Sequence, residues 1–251
     1  MHKPRVVASI EARMGSSRLP GKVLANINGQ PAIERLVSRL RQCRNLDGIV
    51  VATSTNPGDD ILATWCDSNG VPCYRGCEED VLHRVVLAQQ FMNSDIVVEI
   101  TGDCPMTDPQ IVDLGIRTYL AHQPYVDVVT NCGNTLTWPM GQYVQVFSLD
   151  LLEEVDRTID DPAVHEHVSL YFYEHPERYR LVEILAPQHW SEPTWRMQLD
   201  YPEDLTFQNE VYERLETKYG AFFGIDQIVS LLRREPKLVG INLHCKEKAA
   251  R

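Results

Sequence analysis

The sequence predicts an α/β fold, a mainly parallel sheet with helices on both faces. Short apolar runs alternate with amphipathic stretches through the first half of the chain, as strands joined by crossover helices do. A loop rich in glycine, serine and cations follows the first apolar run, at the strand end where such sheets bind ligands. The length of 251 residues suits one large domain, or one with a small appendage.

The run Val6-Val7-Ala8-Ser9-Ile10 reads as a buried first strand. Ala32 to Cys43 carries Ile33, Leu36, Val37 and Leu40 at helical spacing, with Pro31 at its start, where proline is tolerated. Ile49 to Thr53 reads as a strand, and Asp59 to Ser68 and Glu79 to Met92 as helices. In the second helix, Glu79 or Asp80 stands in the first turn, where a carboxylate suits the helix dipole. Ile96 to Thr101 and Val126 to Thr130 complete the strands of the first half. The rhythm then changes. Tyr143 to Phe147 alternates like a strand with two different faces, Ala163 to Tyr173 reads as a helix, and His175-Pro176 as a turn. Tyr179 to Leu185 and Trp195 to Leu199 read as strands, and Pro202 to Lys218 and Ile225 to Arg233 as helices. Lys246 to Arg251 reads as a solvated tail.

The net charge of −11 argues against a general nucleic-acid binder, whose affinity comes from basic patches. It leaves room for one nucleotide in a local basic pocket. Met1 to Arg5 runs straight into the first strand, and neither a leader nor a membrane span is visible. Seven cysteines are scattered singly, which fits reduced thiols in a cytoplasm better than a disulfide framework. Cys73 and Cys77 have no matched second pair to complete a zinc site.

The segment Ile10 to Leu24 is the most informative. Its small residues let backbone amides approach an anion, and Arg13, Arg18 and Lys22 neutralise it. It is not a Walker A loop. Five residues separate Gly15 from Gly21, and Val23 follows Lys22 in place of the hydroxyl residue that motif needs. The dinucleotide fingerprint Gly-x-Gly-x-x-Gly is also missing. What fits is the string Ala12-Arg13-Met14-Gly15-Ser16-Ser17-Arg18-Leu19-Pro20-Gly21-Lys22-Val23-Leu24. It resembles the signature of sugar nucleotidyltransferases, above all the CMP-sugar synthetases that activate acylneuraminate and 3-deoxy-octulosonate. Within these it resembles the spore coat polysaccharide protein F group.

This resemblance implies a Rossmann-like nucleotidyltransferase fold of the GT-A-like kind. The expectation is a single domain, 1–251, with a small projecting dimerisation lobe at about 138–193. It implies a cytidylyltransferase that activates a sugar, expected to be an acidic one of the nonulosonate or octulosonate type, with CTP. The products are a CMP-sugar and pyrophosphate, for surface glycan biosynthesis. A cytoplasmic homodimer follows from the same resemblance, whereas the residues leave CTP open against other triphosphates. Ala12, Arg13, Met14, Gly15, Ser16, Arg18 and Lys22 are then the nucleotide loop. Arg13 and Lys22 act on the departing pyrophosphate, and Arg18 either joins them or pairs with a carboxylate.

Nucleotidyl transfer also calls for a divalent metal. Asp103, in Thr101-Gly102-Asp103-Cys104-Pro105, and Asp200, in Leu199-Asp200-Tyr201-Pro202-Glu203-Asp204-Leu205, each end an expected strand. Both strings resemble family motifs whose first aspartates bind Mg2+, a hard ion that takes one or two carboxylates plus phosphates. The simpler readings are a turn-forming Asp103 and an Asp200 that caps a helix. Tyr74 to Arg84 resembles a segment that lies over the nucleoside, with Cys77 in place of the usual serine. Arg75 and Gly76 are expected near the ribose or base there, against an ordinary strand end leading into a capped helix.

On the acceptor side the resemblance thins. Tyr143 and Gln145 stand where relatives carry acids in Gly-Leu-Asp-Val-Glu-Val-Phe, so two negative charges are lost and an acidic acceptor is better tolerated. His165-Glu166-His167-Val168 stands where relatives read Arg-Glu-His-Val. These three polar residues contact the acceptor, or the histidines are satisfied in the core. A shared metal is disfavoured, because residues two apart on a helix do not share a face. Arg196 either binds an acceptor carboxylate in a bidentate way or forms an internal ion pair. Two other classes remain. A metal-dependent glycosyltransferase usually needs Asp-x-Asp, where this chain has Gly102-Asp103-Cys104. A non-catalytic nucleotide-binding protein of the same fold has no need of two aspartates facing a cationic loop.

Overall fold

Val6–Glu11 forms β1, an interior strand, and its first five residues are buried. In the computed structural model, which describes residues 3–247, β1 leads into the cationic loop. That loop ends in a single 3-10 turn at Lys22–Leu24. A two-residue hairpin, β2 (Asn26–Ile27) and β3 (Gln30–Pro31), precedes α1 (Ala32–Leu40), with Pro31 as its N-cap. Next come β4 (Gly48–Ser54), α2 (Asp60–Ser68), β5 (Cys73–Gly76) and α3 (Val81–Phe91). Asp80 is the α3 N-cap, and its side chain accepts from the His83 amide. β6 (Ile96–Thr101) is followed by α4 (Pro109–His122).

Then come β7 (Val128–Thr130), β8 (Gln145–Ser148), α5 (Leu149–Thr158), α6 (Pro162–Glu166), α7 (Leu170–Glu174) and β9 (Leu181–Glu183). The chain closes with α8 (Pro202–Tyr219) and α9 (Ile225–Arg234). Seven strands make one sheet in the order β5-β4-β1-β6-β8-β7-β9. β8 runs antiparallel to both neighbours, and every other pairing is parallel.

Side chains alternate across β1, so each face of the sheet receives its own apolar set. Ala8, Ile10, Val98 and Ile100 pack with Ile33 and Leu36 of α1, Ile111 of α4 and Phe207 of α8. Val7, Val97 and Phe147 pack with Leu82 and Val85 of α3, Leu152 of α5 and Phe172 of α7. Helices therefore cover both faces, as expected. No helix among the described residues is long and apolar enough to cross a membrane.

Several elements differ from the sequence reading. α4 and α5 were not expected, although Asp108-Pro109 and Ser148 start them with ordinary cap chemistry. The single helix expected over Ala163 to Tyr173 is two, because His167 takes an extended backbone after α6. Trp195 to Leu199 is not a strand. It makes one isolated bridge, Met140 with Arg196, and Leu199 donates its amide to the Asp103 carbonyl at 2.8 Å. Tyr143 lies before β8, and β9 is three residues long. Residues 138–193, the expected lobe, contribute β8 and β9 to the sheet and α5, α6 and α7 beside it. Of the expected tail, Lys246 and Glu247 line the cleft at the sheet edge, and Tyr201 Oη donates to the Lys246 carbonyl at 3.1 Å. Residues 248–251 lie outside the described residues.

Candidate active site

A cleft of about 640 Å³ opens at the C-terminal end of β1 and β6. The cationic loop forms one wall, folded around one carbonyl. Met14 O accepts the amides of Ser16 at 2.9 Å and Gly21 at 3.0 Å. Gly21 has φ 71°, a left-handed conformation that suits glycine. The loop is tied down from below, where Met14 N donates to Asp59 Oδ1 at 2.6 Å and buried Asp59 also accepts from the Ser54 amide.

β6 brings Asp103 to the same place through Gly102. The Gly102 amide donates to the Glu11 carbonyl at 2.9 Å. A Cβ at Gly102 would stand 2.7 Å from that oxygen and 2.9 Å from the Ala12 Cβ, so a side chain there would push β6 off β1. Asp200 arrives on the turn before α8. Lys22 Nζ joins the two acids, donating to Asp103 Oδ2 at 2.9 Å and to Asp200 Oδ1 at 2.7 Å. Arg18 Nη2 lies 2.8 Å from the same Asp200 oxygen, with its guanidinium over the Tyr201 ring. Gln198 Nε2 donates to Asp103 Oδ2 at 3.0 Å.

Arg196 stands behind Asp200, fully enclosed. Its Nη2 donates to Asp200 Oδ2 at 2.8 Å and its Nε to Asp204 Oδ1 at 2.9 Å. Asp204 accepts the amides of Asp200 and Tyr201 at 2.8 and 2.9 Å, which closes the N-terminus of α8. Burial alone would raise the Asp103 pKa, but the Lys22 ammonium and the hydrogen bonds to it hold it below the usual carboxylate value. Burial would likewise lower the Lys22 pKa, and the charges of Asp103 and Asp200 instead raise it.

Of the residues the sequence singled out, Ala12, Arg13, Gly15, Ser16, Arg18, Lys22, Asp103, Asp200, Glu166 and His167 line this cleft. Arg13 makes only a 3.4 Å contact with Glu78, and both side chains are well exposed, so its guanidinium is open to an anion. The others lie elsewhere. Met14 sits behind the loop. Arg75 donates to the carbonyls of Ser54 at 2.9 Å and Asn56 at 3.1 Å and pairs with Asp60. It therefore braces the β4–α2 loop and does not face the cleft. Gly76 is pressed on Arg84, where a Cβ would meet Arg84 Cγ at 3.0 Å. Tyr143 is half-buried behind the site.

Arg196 resolves as the internal ion pair, because its guanidinium is already shared by Asp200 and Asp204. His165 and His167 part company. His165 Nδ1 lies 2.7 Å from Asp80 Oδ1 and its Nε2 2.7 Å from the Ile159 carbonyl, whereas His167 faces the cleft. Gln145 Nε2 donates to Ser169 Oγ at 2.9 Å. The carboxyl group expected to be lost at Gln145 has a counterpart on the next strand, where Glu99 of β6 stands opposite it.

The sequence reading missed Glu11, Arg84, Gln198 and Tyr201, all of which line the cleft. It also missed Glu99, which is 5% exposed. Glu99 carried a usable signal, an acid in the middle of an otherwise apolar strand. Gln198 carried none.

A family model described as cytidylyltransferase matches residues 7–227. The chain is 33% identical over 233 residues to the spore coat polysaccharide biosynthesis protein SpsF of Bacillus subtilis (strain 168), covering 90% of this chain and 93% of that protein. It is 33% identical over 132 residues to a 3-deoxy-manno-octulosonate cytidylyltransferase of Chlamydia trachomatis serovar A, covering 51% of this chain and 50% of that one. Among solved structures, a cytidylyltransferase from Leptospira borgpetersenii serovar Hardjo-bovis superposes with a TM-score of 0.88 at 27% identity. That match covers 98% of this chain and 100% of the other.

Proposed function

This chain belongs to the cytidylyltransferase family of CTP-dependent nucleotidyltransferases, and from that premise we propose that it activates a sugar acid of the nonulosonate or octulosonate kind. An acceptor hydroxyl oxygen attacks the α-phosphorus of CTP. An oxygen–phosphorus bond forms, the bond to the bridging oxygen breaks, pyrophosphate leaves, and the hydroxyl proton is lost. The product is a CMP-sugar for surface glycan biosynthesis. One observation carries the reading. Asp103 and Asp200, which come from distant parts of the chain, meet on the ammonium of Lys22 in the cationic loop.

Arg13, Arg18 and Lys22 make the positive wall of the cleft, where charge builds on departing pyrophosphate. Two carboxylates sharing one ammonium form a place that accepts a cation, and their oxygens suit a hard divalent ion such as Mg2+. Asp103 and Asp200 would hold it, with Gln198 donating to the same Asp103 oxygen as Lys22 and Arg196 fixing the second oxygen of Asp200. When bound, such an ion polarises the α-phosphate and lowers the pKa of the attacking hydroxyl. Backbone groups of Ala12 to Gly15 at the loop mouth are the part of the wall suited to reading a base. The reading includes a homodimer formed through residues 138–193. It also includes a cytoplasmic enzyme, in keeping with the free cysteines among the described residues.

The test is pyrophosphate release with each of four nucleoside triphosphates, Mg2+ and a panel of sugar acids and neutral sugars, with Asp103→Ala alongside. Release with CTP and a sugar acid, lost in the variant, supports the reading. Release with another triphosphate, or equal release by Asp103→Ala, would overturn it.

A further inference from the structure

The second face of the sheet changes character from one row to the next. Val7, Val97, Phe147 and Val128 lie side by side on β1, β6, β8 and β7, and all four are buried and apolar. Two residues further toward the cleft, the same face carries Ser9, Glu99, Gln145 and Thr130 in register. Glu11 and Thr101 form the next step up, and both line the cleft. An apolar sheet face has become a polar floor that rises into the site.

This floor holds two unsatisfied groups. Glu99 Oε2 has no hydrogen-bond partner, and the residue is 5% exposed. Arg84 of α3 is 2% exposed and lines the cleft beside Glu11. Its Nη1 donates to the carbonyls of Cys77 and Glu78, yet its Nε has no partner. Buried polar groups are normally paired, and an orphan costs stability. An unpaired donor on the cleft wall and an unpaired acceptor one row below the cleft-lining Glu11 and Thr101 match a ligand that both donates and accepts. Ser169 closes the far side, where it accepts from Gln145.

We propose that this floor is the acceptor subsite, and that Glu99, with Glu11 and Arg84, reads the hydroxyl groups of a polyol chain on the sugar. The inference rests on the cytidylyltransferase reading and names what that site selects. A hydroxyl can donate to a Glu99 oxygen and accept from an N–H, which a carboxylate cannot do. Any acid group on the acceptor therefore lies away from this floor, and the polyol end enters it. The electrostatics agree. Burial pushes Glu99 up to about 7, and burial together with the Glu99 charge raises Glu11 well above its ordinary value. The floor is therefore not a strong anion that would draw cations in place of hydroxyls.

The experiment uses the full chain, with Glu99→Leu to remove both oxygens and Glu99→Gln to keep the volume. CTP affinity is measured by calorimetry. A panel of six- to nine-carbon polyols and sugar acids is then titrated into the CTP-loaded protein, and Tm is recorded. The expected result is CTP affinity unchanged in both variants, Tm not lowered in Glu99→Gln, and polyol-bearing panel members bound at least about tenfold more weakly by Glu99→Leu. Equal panel affinity in wild type and Glu99→Leu overturns the proposal. So does a wild type that binds CTP but no polyol-bearing member. Failure to bind CTP at all is a different outcome, because it overturns the parent reading and the proposal falls with it.

Discussion

Lys22 donates to Asp200 across 2.7 Å although the two residues are 178 positions apart. The same ammonium reaches Asp103 at 2.9 Å. A side chain of the cationic loop is thus also the counter-ion of the acids proposed to hold the metal. The loop and both aspartate motifs meet at one nitrogen.

Replacing Lys22 by Met removes that nitrogen from both acids, while Arg18 and Arg196 stay on Asp200. Pyrophosphate release should fall by about 10²–10³, the usual loss on deleting one preorganised charge-stabilising donor. Without nucleotide, the variant should bind Mn2+ more tightly than wild type, since no ammonium competes for the two carboxylates. Steady-state kinetics and Mn2+ calorimetry read the two effects separately. Unchanged Mn2+ affinity would remove Asp103 and Asp200 as the cation site.

Arg196 is a structural residue here. Arg196→Met removes the guanidinium from buried Asp204 and from Asp200 Oδ2, leaving Asp200 only Lys22 and Arg18. Breaking such a cluster should cost about 3–5 kcal/mol of folding stability, measured by urea denaturation. A variant of wild-type stability with a raised acceptor KM would instead restore the acceptor-binding role expected from sequence.

Arg13 and Arg75 should part in CTP binding. Arg13→Ala removes an accessible guanidinium and should weaken CTP by about tenfold or more, the worth of one charged hydrogen bond. Arg75→Ala unties the Ser54 and Asn56 carbonyls away from the cleft, and CTP affinity should stay within a factor of about two. Calorimetry with CTP alone decides this. A large loss in Arg75→Ala would place that side chain at the nucleoside after all.

His165 joins α6 to the N-cap of α3 through Asp80. Burial opposes its charge, but the hydrogen bonds to Asp80 and the Ile159 carbonyl, with the charges of Asp80 and Asp156, outweigh it and raise its pKa. A raised folded value means the clasp contributes fully below the unfolded pKa of about 6.5 and fades as pH rises through the folded value. His165→Arg keeps a cation at every pH. The Tm difference between His165→Arg and wild type should therefore widen as pH rises above about 6.5. A difference independent of pH would mean the imidazolium does not hold the two helices together.

How much of this was legible followed from how local each feature is. The cationic loop was readable because Arg13 to Lys22 is one contiguous stretch whose residue types themselves describe an anion site. The helices on α1 and α8 were readable because apolar periodicity repeats within a few turns. α4 and α5 were as local and still unread, although Asp108-Pro109 and Ser148 marked their starts. Trp195 to Leu199 was misread because short apolar–polar alternation does not distinguish a sheet strand from a segment whose one bridge is Arg196 with Met140. The break at His167 was invisible as well, and it separates His165, which meets Asp80, from His167, which meets the cleft.

The sequence by itself determined the strand–helix alternation, the loop and the two aspartate motifs, because each is written in neighbouring residues. Only the tertiary structure decided the partners of the charges. Asp200 could have capped a helix, held a metal or paired with Arg196, and its identity is the same in each case. Charge pairing depends on distances of a few ångströms between residues far apart in the chain. The same holds for Glu99, whose unpaired oxygen exists only because β1, β6 and β8 place it beneath the cleft.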